Sequence, residues 1–340
     1  MRIPNPPFTG KMRIGFLLVG VMLLLAACTG AGPEKASGPV PTPEPAATSS
    51  PTAALSETCP ALLKSVPTCQ TPQSMRAAYG MDSLIARGMT GQGETVVDIV
   101  SFGSPTLQQD MNAFDQQFGL PPITVQVMSP IGTVKFNPAN NDMLGWAEET
   151  TLDVEIIHAM APGAHIVVLT SPVDETEGTI GLPQFLQLEQ YAVNHHLGQV
   201  FSQSYVASET TLNNSAGRQL VSTYDNFYKQ ITTQQGWTVL TGSGDHGATD
   251  YSNLAATELS STPIVNFPAD DPWVTSVGGT TLLTSSAGIS ETAWDDSGGG
   301  FSAFFSEPAY QQELPATLQS EFKGRRGIPD VAANAAPSTA

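Results

Sequence analysis

Residues 148–170 read Glu-Glu-Thr-Thr-Leu-Asp-Val-Glu-Ile-Ile-His-Ala-Met-Ala-Pro-Gly-Ala-His-Ile-Val-Val-Leu-Thr. In the first part, Leu152, Ile156 and Ala159 fall on one apolar line at helical spacing, and Pro162-Gly163 is a stop signal. The residues after that turn form an apolar, β-branched run that is typical of a buried strand. A helix joined by a short turn to a buried strand predicts an α/β protein.

The same alternation continues on both sides of this stretch. Apolar, β-branched segments predict further strands at 94–102, 124–128, 199–204 and 237–241. Helical patterns occupy the intervals at 106–118, 183–196 and 216–235. Near-continuous apolar strands separated by helices indicate a mainly parallel sheet that is covered on both faces. We therefore predict one α/β domain without internal repeats.

Glu149 and Asp153 are candidates for acid–base chemistry. They are four residues apart, so on a helix their carboxylates lie on one face, one turn apart, and no Lys or Arg is nearby in sequence. A close carboxylate pair tends to hold one proton between its members. An isolated Glu-x-x-x-Asp is most often a solvated acidic helix face, so the rest of the chain has to decide between the two interpretations.

A second candidate is Asp245, in the segment 241–247, Thr-Gly-Ser-Gly-Asp-His-Gly, which follows a predicted strand. Ligands of such sheets bind beyond the carboxyl ends of the strands, although a turn or helix-capping role for this Asp remains open. His246 is adjacent in sequence, and adjacent side chains rarely point into one site. His158 and His165 lack the spacing of a metal-binding His-Glu-x-x-His motif, so we expect no metal there.

Two serines in glycine-rich surroundings, Ser297 and Ser302, offer themselves as nucleophiles. Neither lies in a Gly-x-Ser-x-Gly context, so we expect structural roles for both.

The composition argues against nucleic-acid binding. The 340 residues contain 13 Lys and Arg against 31 Asp and Glu, a net charge of −18, whereas phosphate binding needs a basic surface. Hydrophobic residues make up 40% of the chain, which is enough for a sizeable core. The acidity suits an extracytoplasmic setting at low pH, where carboxylates lose their charge and repel one another less.

The first 27 residues predict a signal peptide. Lys11 and Arg13 precede an unbroken apolar run at 14–27, which suits a signal-peptide core better than a membrane span. The run ends in Leu-Ala-Ala-Cys28, which resembles a bacterial lipobox and predicts a lipid anchor on Cys28. A simple secretory peptide with an incidental Cys remains the alternative, and translation could start at Met1 or Met12.

The mature chain is predicted to begin with a tether. Residues 28–57 are rich in Pro, Ala and Ser, and such a segment cannot bury a core but can extend by about 3.1 Å per residue. Residues 58–340 form the predicted globular domain. Cys59 and Cys69 remain as an even pair in an oxidising compartment, so we predict a disulfide between them, worth roughly 2–3 kcal/mol.

Six segments, in order, resemble the sedolisin family of serine-carboxyl peptidases. They cover roughly residues 73–335 and lie at 149–155, 161–164, 244–247, 267–280, 298–302 and 325–331. The resemblance implies a subtilisin-like three-layer fold. It also implies that Glu149 is the general base for a serine, that Asp153 orients it, and that Asp245 is a protonated acid in the oxyanion hole. A paired Glu can accept a proton near pH 4, where a His base is already protonated.

The resemblance further assigns Ser204, Tyr205, Val206 and Gly244 to substrate binding. Val206 departs from the family pattern, because many members have Gly there, and its side chain could crowd a substrate backbone. The family's Gly-Thr-Ser nucleophile and its calcium loop normally follow the segment 325–331 by a few tens of residues, beyond Ala340. We therefore expect a fragment that contains neither the nucleophile nor calcium ligands and is inactive by itself. The family's long inhibitory pro-domain is also missing ahead of the domain, so activation cannot follow the usual route.

These features predict an exported, lipid-anchored, monomeric endopeptidase or tripeptidyl peptidase that acts on polypeptides at acidic pH. The alternative is a non-catalytic lipoprotein that binds peptides or a cell-surface partner. A glycoside hydrolase is disfavoured, because its two carboxyls should flank the substrate about 5–10 Å apart from opposed positions.

Overall fold

The computed structural model of the chain describes residues 69–285 and 288–339. The predicted signal peptide, Cys28 with its lipid, the tether and Cys59 lie outside the described residues. These assignments, and the disulfide between Cys59 and Cys69, therefore stay predictions. In the part that is described, no helix is both long and apolar enough to cross a membrane.

Helices and strands alternate along most of the described chain. The helices are α1 Pro72–Ala78, α2 Met81–Ile85, α3 Leu107–Phe118, α4 Asn141–Met160, α5 Leu182–Asn194, α6 Glu209–Leu212, α7 Ser215–Gln235, α8 Ala309–Gln312 and α9 Ala316–Phe322. The strands are β1 Thr95–Ser101, β2 Gln126–Met128, β3 His165–Ser171, β4 Val200–Gln203, β5 Ala207–Ser208, β6 Thr238–Gly242, β7 Asn266–Phe267, β8 Thr275–Ser285, β9 Gly288–Ala293, β10 Gly300–Ser306, β11 Arg325–Ile328 and β12 Val331–Asn334.

The main sheet is parallel except at one place. Its order is β12-β8-β6-β4-β1-β3-β2, with every pair along this path parallel, and β9 adds to β8 in antiparallel orientation. The central strand β1 lies between β3 and β4. Because all these parallel strands run in one direction, their carboxyl ends meet at one edge of the sheet. The prediction of an α/β fold with a mainly parallel sheet is confirmed.

Strand β1 shows how the two faces of the sheet are covered. Val97 and Ile99 pack into a buried cluster with residues of α5 and α7. Val96 and Val100, which point the other way, pack into a second cluster with residues of α3 and α4. Each fully buried Val or Ile contributes about 1.5–3 kcal/mol relative to exposure, so the helix–sheet–helix layers are held mainly by these clusters. Asp98 has the same parity as Val96 and Val100 and thus faces α4.

Helix α4 is longer than the sequence pattern indicated. It begins at Asn141 because the Asn140 side chain accepts hydrogen bonds from the backbone N–H groups of Asp142 and Met143 at 2.8 and 3.0 Å, which is a standard N-cap. The polar residues and Gly145 in the first turns obscured this start. The helix ends at Met160, just before the predicted stop at Pro162.

Other boundaries differ by a few residues. The second predicted strand, 124–128, is shorter, since only Gln126–Met128 pairs with β3. Helix α5 ends at Asn194 and is capped by the backbone of His195, so it ends two residues before the predicted end at 196. These shifts leave the order of the layers unchanged.

Candidate active site

Helix α4 presents Glu149 and Asp153 to the sheet. The helix packs against β1 and β3, and both carboxylic side chains are only 4% exposed. They lie one helical turn apart because four residues advance an α-helix by about 6 Å. The interpretation of this pair as a solvated acidic face is therefore wrong.

Most oxygens of this pair have no hydrogen-bond partner. Ser204, directly after β4, donates its hydroxyl hydrogen to Asp153 Oδ1 at 2.8 Å. Within the described chain, Asp153 Oδ2 and both Glu149 oxygens are buried without a hydrogen bond. An ionised carboxylate in such a place costs several kcal/mol, so the pair favours states in which it holds a proton.

Asp98 is a third carboxyl group at this site, which the sequence analysis did not single out. It is fully buried on β1 and faces α4, and neither of its oxygens has a hydrogen bond in the described structure. Burial, and then the charge of Asp153, raise its pKa well above the ordinary value. One charged residue inside an apolar, β-branched strand was the available signal.

The same causes act on the pair itself. Burial raises the pKa of Asp153 to about 7, although the hydrogen bond from Ser204 opposes the rise. Burial and then the charge of Asp153 raise the pKa of Glu149 well above its usual range. Groups coupled in this way titrate as a unit, so the pair can hold and release one proton in mildly acidic solution.

Asp245 lies in the loop that follows β6, at the carboxyl edge of the sheet. Gly244 before it has φ 111°, and a Cβ there would collide with Asn266 Nδ2, so only glycine fits this bend. Asp245 Oδ1 is buried without a partner, and burial raises the pKa of this carboxyl to about 7. No helix starts here, so the helix-capping alternative is wrong. The charge of Asp245 also reaches Glu149 and adds to the rise of that pKa.

A cavity of about 300 Å³ has Asp245 in its wall. All four residues predicted to bind substrate line it, together with Asp245: Ser204, Tyr205, Val206 and Gly244. Tyr205 is fixed because its hydroxyl donates to Glu189 Oε1 at 2.6 Å. Ser204 contacts both the cavity and Asp153, and so connects the two parts of the site.

A larger cavity lies elsewhere. It has a volume of about 750 Å³, is lined by Trp273, Tyr310 and Phe322 among others, and shares no residue with the first one. It contains none of the carboxylates predicted to be catalytic, so we place the candidate site at the smaller cavity.

The histidines have structural partners. His158 Nε2 lies 2.8 Å from the Pro121 carbonyl oxygen and 3.2 Å from Asp115, and His246 Nδ1 lies 3.2 Å from Asp250. Across residues 69–285 and 288–339, no group of three or more His, Cys, Asp or Glu side chains is arranged to hold a metal ion. The described residues therefore do not fit the calcium site that the resemblance implies.

Ser297 and Ser302, the two serines in glycine-rich surroundings, form hydrogen bonds within the fold. Ser297 Oγ accepts from the Gly279 N–H at 2.8 Å. Ser302 is fully buried, and its Oγ lies 2.6 Å from Glu209 Oε1 and 2.7 Å from Asp270 Oδ2. These contacts agree with the structural roles that their sequence context indicated.

Three relatives of known name are similar to the chain. It is 30% identical over 284 residues to kumamolisin of Bacillus sp. (strain MN-32), which covers 80% of this chain and 47% of kumamolisin. It is 32% identical over 260 residues to sedolisin of Pseudomonas sp. (strain 101), covering 72% and 41%. It is 31% identical over 258 residues to tripeptidyl-peptidase sed4 of Aspergillus fumigatus, covering 66% and 40%. The chain thus spans less than half the length of these relatives. No protein-family model matches it.

Among solved structures, the chain is similar to Pseudomonas sedolisin, a serine-carboxyl proteinase, in complex with two molecules of pseudo-iodotyrostatin. The TM-score is 0.63 at 27% identity, over 80% of this chain and 72% of that one.

Proposed function

Because the chain belongs to the sedolisin family and has its subtilisin-like fold, we propose that it carries the acid–base and oxyanion groups of an acidic serine-carboxyl peptidase. The observation that supports this most directly is the pair Glu149 and Asp153, buried one turn apart with three unpartnered oxygens. The cavity beside the pair, with Asp245 in its wall, adds a place for a substrate.

In the proposed reaction Glu149 is the general base. A serine hydroxyl attacks the peptide carbonyl carbon, and its proton passes to a Glu149 oxygen. Glu149 then delivers that proton to the nitrogen of the leaving amine, and water repeats the exchange to release the acyl group. Asp153 orients Glu149 and shares the proton, as Asp orients His in a Ser-His-Asp triad. A coupled carboxyl pair can do this in acid, where an imidazole is already protonated.

Asp245 is proposed as the oxyanion donor. Its raised pKa, about 7, keeps the carboxyl group neutral in acidic solution, so its O–H can donate to the oxygen on which charge develops. Above that pH the group ionises and would repel the oxyanion. The upper pH limit of the expected activity is therefore set by Asp245, which must stay neutral, and the lower limit by the Glu149 and Asp153 pair, which must be able to accept a proton.

The proposed substrate is a polypeptide, cut by endopeptidase or tripeptidyl-peptidase action. One of its side chains would enter the cavity formed by Ser204, Tyr205, Val206 and Gly244. Val206 lines the cavity and also packs against the buried cluster of Val265, Ala269 and Ile328. This packing favours tolerance of the valine over obstruction of the substrate backbone.

The resemblance implies a Gly-Thr-Ser segment and a calcium loop, and we propose that these segments supply the serine nucleophile and the calcium ligands of the complete site. Export, a lipid anchor on Cys28 at the outer face of the membrane, a tether and a monomeric state complete the proposal. These last features rest on the sequence pattern.

The test uses the native reading frame extended through its downstream Gly-Thr-Ser. Mass spectrometry of an unstructured protein incubated at about pH 3–5 should show cleavage, and Glu149→Gln should lower kcat/KM by on the order of 10³-fold or more. Glu148→Gln is the matched control, because this neighbouring side chain is exposed and should leave kcat/KM unchanged. Glu149-dependent cleavage by the 340-residue chain itself would contradict the proposal about the nucleophile.

A second candidate is a non-catalytic lipoprotein that binds peptides or a cell-surface partner. It is favoured by one observation, that the cavity forms from residues of this chain alone. A reading frame without a downstream Gly-Thr-Ser, together with peptide binding but no turnover, would select this candidate over the peptidase.

A further inference from the structure

The wall of the 300 Å³ cavity is acidic. Besides Asp245, its lining includes four more carboxylic residues, Asp174, Glu175, Glu177 and Asp250. It also includes His246, which can carry a positive charge when protonated. Among the described lining residues none is Lys or Arg. The cavity therefore gathers carboxyl groups without a matching cation of its own.

Three of the four additional carboxyl groups already have partners. The Asp174 carboxylate accepts a hydrogen bond from Trp146 Nε1 at 2.6 Å. Glu177 Oε2 accepts from the Ser208 N–H at 3.0 Å and from Thr211 Oγ1 at 2.7 Å. Asp250 accepts from Asn266 Nδ2 and from the Tyr251 N–H, both at 2.6 Å, and lies 3.2 Å from His246 Nδ1. These groups hold the surrounding loops together.

Glu175 is the exception. Its Oε1 is buried and has no hydrogen-bond partner in the described structure, although the residue lines the cavity. Burial, and then the charges of Glu177, Asp174 and Asp250, raise the pKa of this carboxyl well above its usual value. A buried acceptor without a donor costs free energy, and a positively charged donor would relieve both the missing hydrogen bond and the repulsion.

The loop that carries Glu175 is held in place. Gly181 has φ 84°, and a Cβ there would lie 2.5 Å from the Asp174 carbonyl oxygen and the Glu175 Cα, so the backbone closes tightly at this point. The Gly178 N–H donates to Thr211 Oγ1 at 3.1 Å, which ties the loop to α6. A carboxylate on such a loop is preorganised, so little ordering is needed when a ligand binds.

We propose that Glu175 selects polypeptides that place a Lys or Arg side chain in this cavity. Asp245 is in the same wall, so that side chain belongs to the residue whose carbonyl carbon would be attacked, the P1 residue. The aliphatic stem would lie against Tyr205, Val206 and Leu254, while the cationic end reaches Glu175. A bare metal ion is the poorer match, since the described residues contain no group arranged to hold one. The inference rests on the proposed function and names its substrate class.

The experiment measures peptide binding to the 340-residue chain, which needs no nucleophile. Three fluorescein-labelled, Ala-rich peptides differ at one position only, which is Arg, citrulline or Glu; citrulline has the shape of Arg without its charge. Because the pKa of Glu175 is raised, fluorescence anisotropy is measured at about pH 8, where we expect the Arg peptide to bind about 10- to 100-fold more tightly than the citrulline peptide. The Glu peptide should bind most weakly.

Variants assign the preference to one carboxyl group. Glu175→Gln should reduce the ratio between the Arg and citrulline peptides to about threefold or less. Asp174→Asn is the matched control, because its carboxyl group already accepts from Trp146 and an amide oxygen can still accept; the Arg preference should persist.

The outcomes separate the two proposals. Equal binding of all three peptides by the unaltered chain overturns the assignment of Glu175 and leaves the proposed function intact. An Arg preference that survives Glu175→Gln also overturns it. Failure of every peptide to bind overturns the proposed function and this inference with it.

Discussion

Two buried carboxyl clusters in this molecule differ in how their oxygens are used. In the first, Glu209 on α6 accepts hydrogen bonds from Ser302 Oγ and from the backbone N–H groups of Ala303 and Phe304, at 2.6–3.1 Å. Its neighbour Asp270 contacts the Ser302 hydroxyl through Oδ2 at 2.7 Å, whereas Asp270 Oδ1 has no hydrogen-bond partner in the described structure. In the second, among residues 69–285 and 288–339, the side chains of Glu149, Asp153 and Asp98 together receive one hydrogen bond, from Ser204 to Asp153.

The difference indicates different roles. The Glu209 cluster joins α6 to β10 and to the segment after β7, so its carboxylates stabilise the fold. The Glu149 cluster lowers the stability of the fold, because its buried oxygens lack hydrogen bonds. Such groups are characteristic of sites that carry out chemistry.

The largest expected change in the free energy of unfolding comes from a substitution in the Glu209 cluster. Glu209→Ala removes a buried acceptor that serves three donors, of which Ser302 Oγ is fully buried, so we expect the free energy of unfolding to fall by about 3–5 kcal/mol. Urea denaturation at pH 6 followed by tryptophan fluorescence measures this. Glu148→Ala, at an exposed position, should change it by no more than about 0.5 kcal/mol. A loss below 1 kcal/mol for Glu209→Ala would remove the structural half of the comparison.

The cluster of Glu149, Asp153 and Asp98 should make the free energy of unfolding depend on pH. The pKa of Asp153 is raised in the folded state from 3.8 to about 7, so the folded chain binds more protons than the unfolded chain between these values. The stabilisation is complete below about pH 4 and is lost as the pH rises through about 7, by about 2–4 kcal/mol for this coupled group.

Urea midpoints at pH 4, 5, 6, 7 and 8 test this dependence. Several other buried acids contribute with the same sign, among them Glu189, whose pKa is about 8 because of burial. The specific readout is therefore the difference between the unaltered chain and the double variant Glu149→Gln, Asp153→Asn, which should depend less steeply on pH. Identical slopes for the two proteins would contradict the assignment.

Replacing an Asp by Leu should change the free energy of unfolding in opposite directions in the two clusters. Asp98→Leu replaces an unpartnered buried carboxyl group by an apolar side chain on the face of Val96 and Val100, and should raise the free energy of unfolding by about 1–3 kcal/mol at pH 7. Asp270→Leu should lower it, because Glu209 loses the hydrogen bond that it shares with the Asp270 carboxyl group. Thermal denaturation of both variants gives the comparison, and a destabilising Asp98→Leu would mean that Asp98 has a structural role.

The smallest expected effect concerns the hydrogen bond from Ser204 to Asp153. Ser204 lowers the pKa of Asp153 by donating to Oδ1 at 2.8 Å. Ser204→Ala should therefore raise that pKa further, by about one unit or less. A carbon-13 NMR titration of the Asp153 carboxyl group measures the shift, and a lowered pKa would mean that Ser204 does not act on this group.

Much of the fold could be predicted from the sequence. Near-continuous apolar strands at 94–102 and 165–170 indicated a parallel sheet buried on both faces, because only such a sheet leaves no side of a strand exposed. The four-residue spacing of Glu149 and Asp153 gave their position on one helix face. The start of α4 was missed, since the Asn140 cap lies among polar residues that also suit a loop.

The tertiary details of the site could not be predicted in the same way. Whether a carboxyl group has a hydrogen-bond partner depends on loops that are distant in sequence, such as the contacts of Glu177 with Ser208 and Thr211. Asp98 and Glu175 became notable only once their neighbours were known. The family resemblance supplied the order of the motifs, but not these two residues.

The central claim is that Glu149 and Asp153 hold a proton together in acidic solution. The most direct test is a carbon-13 carboxyl NMR titration of the 340-residue chain, with resonances assigned by Glu149→Gln and Asp153→Asn. We predict coupled titration, with the pKa of Asp153 about 7 and that of Glu149 well above 4.5, and a lower pKa for Glu149 in Asp153→Asn. Two independent titrations near the ordinary values, unaffected by either substitution, would contradict the claim.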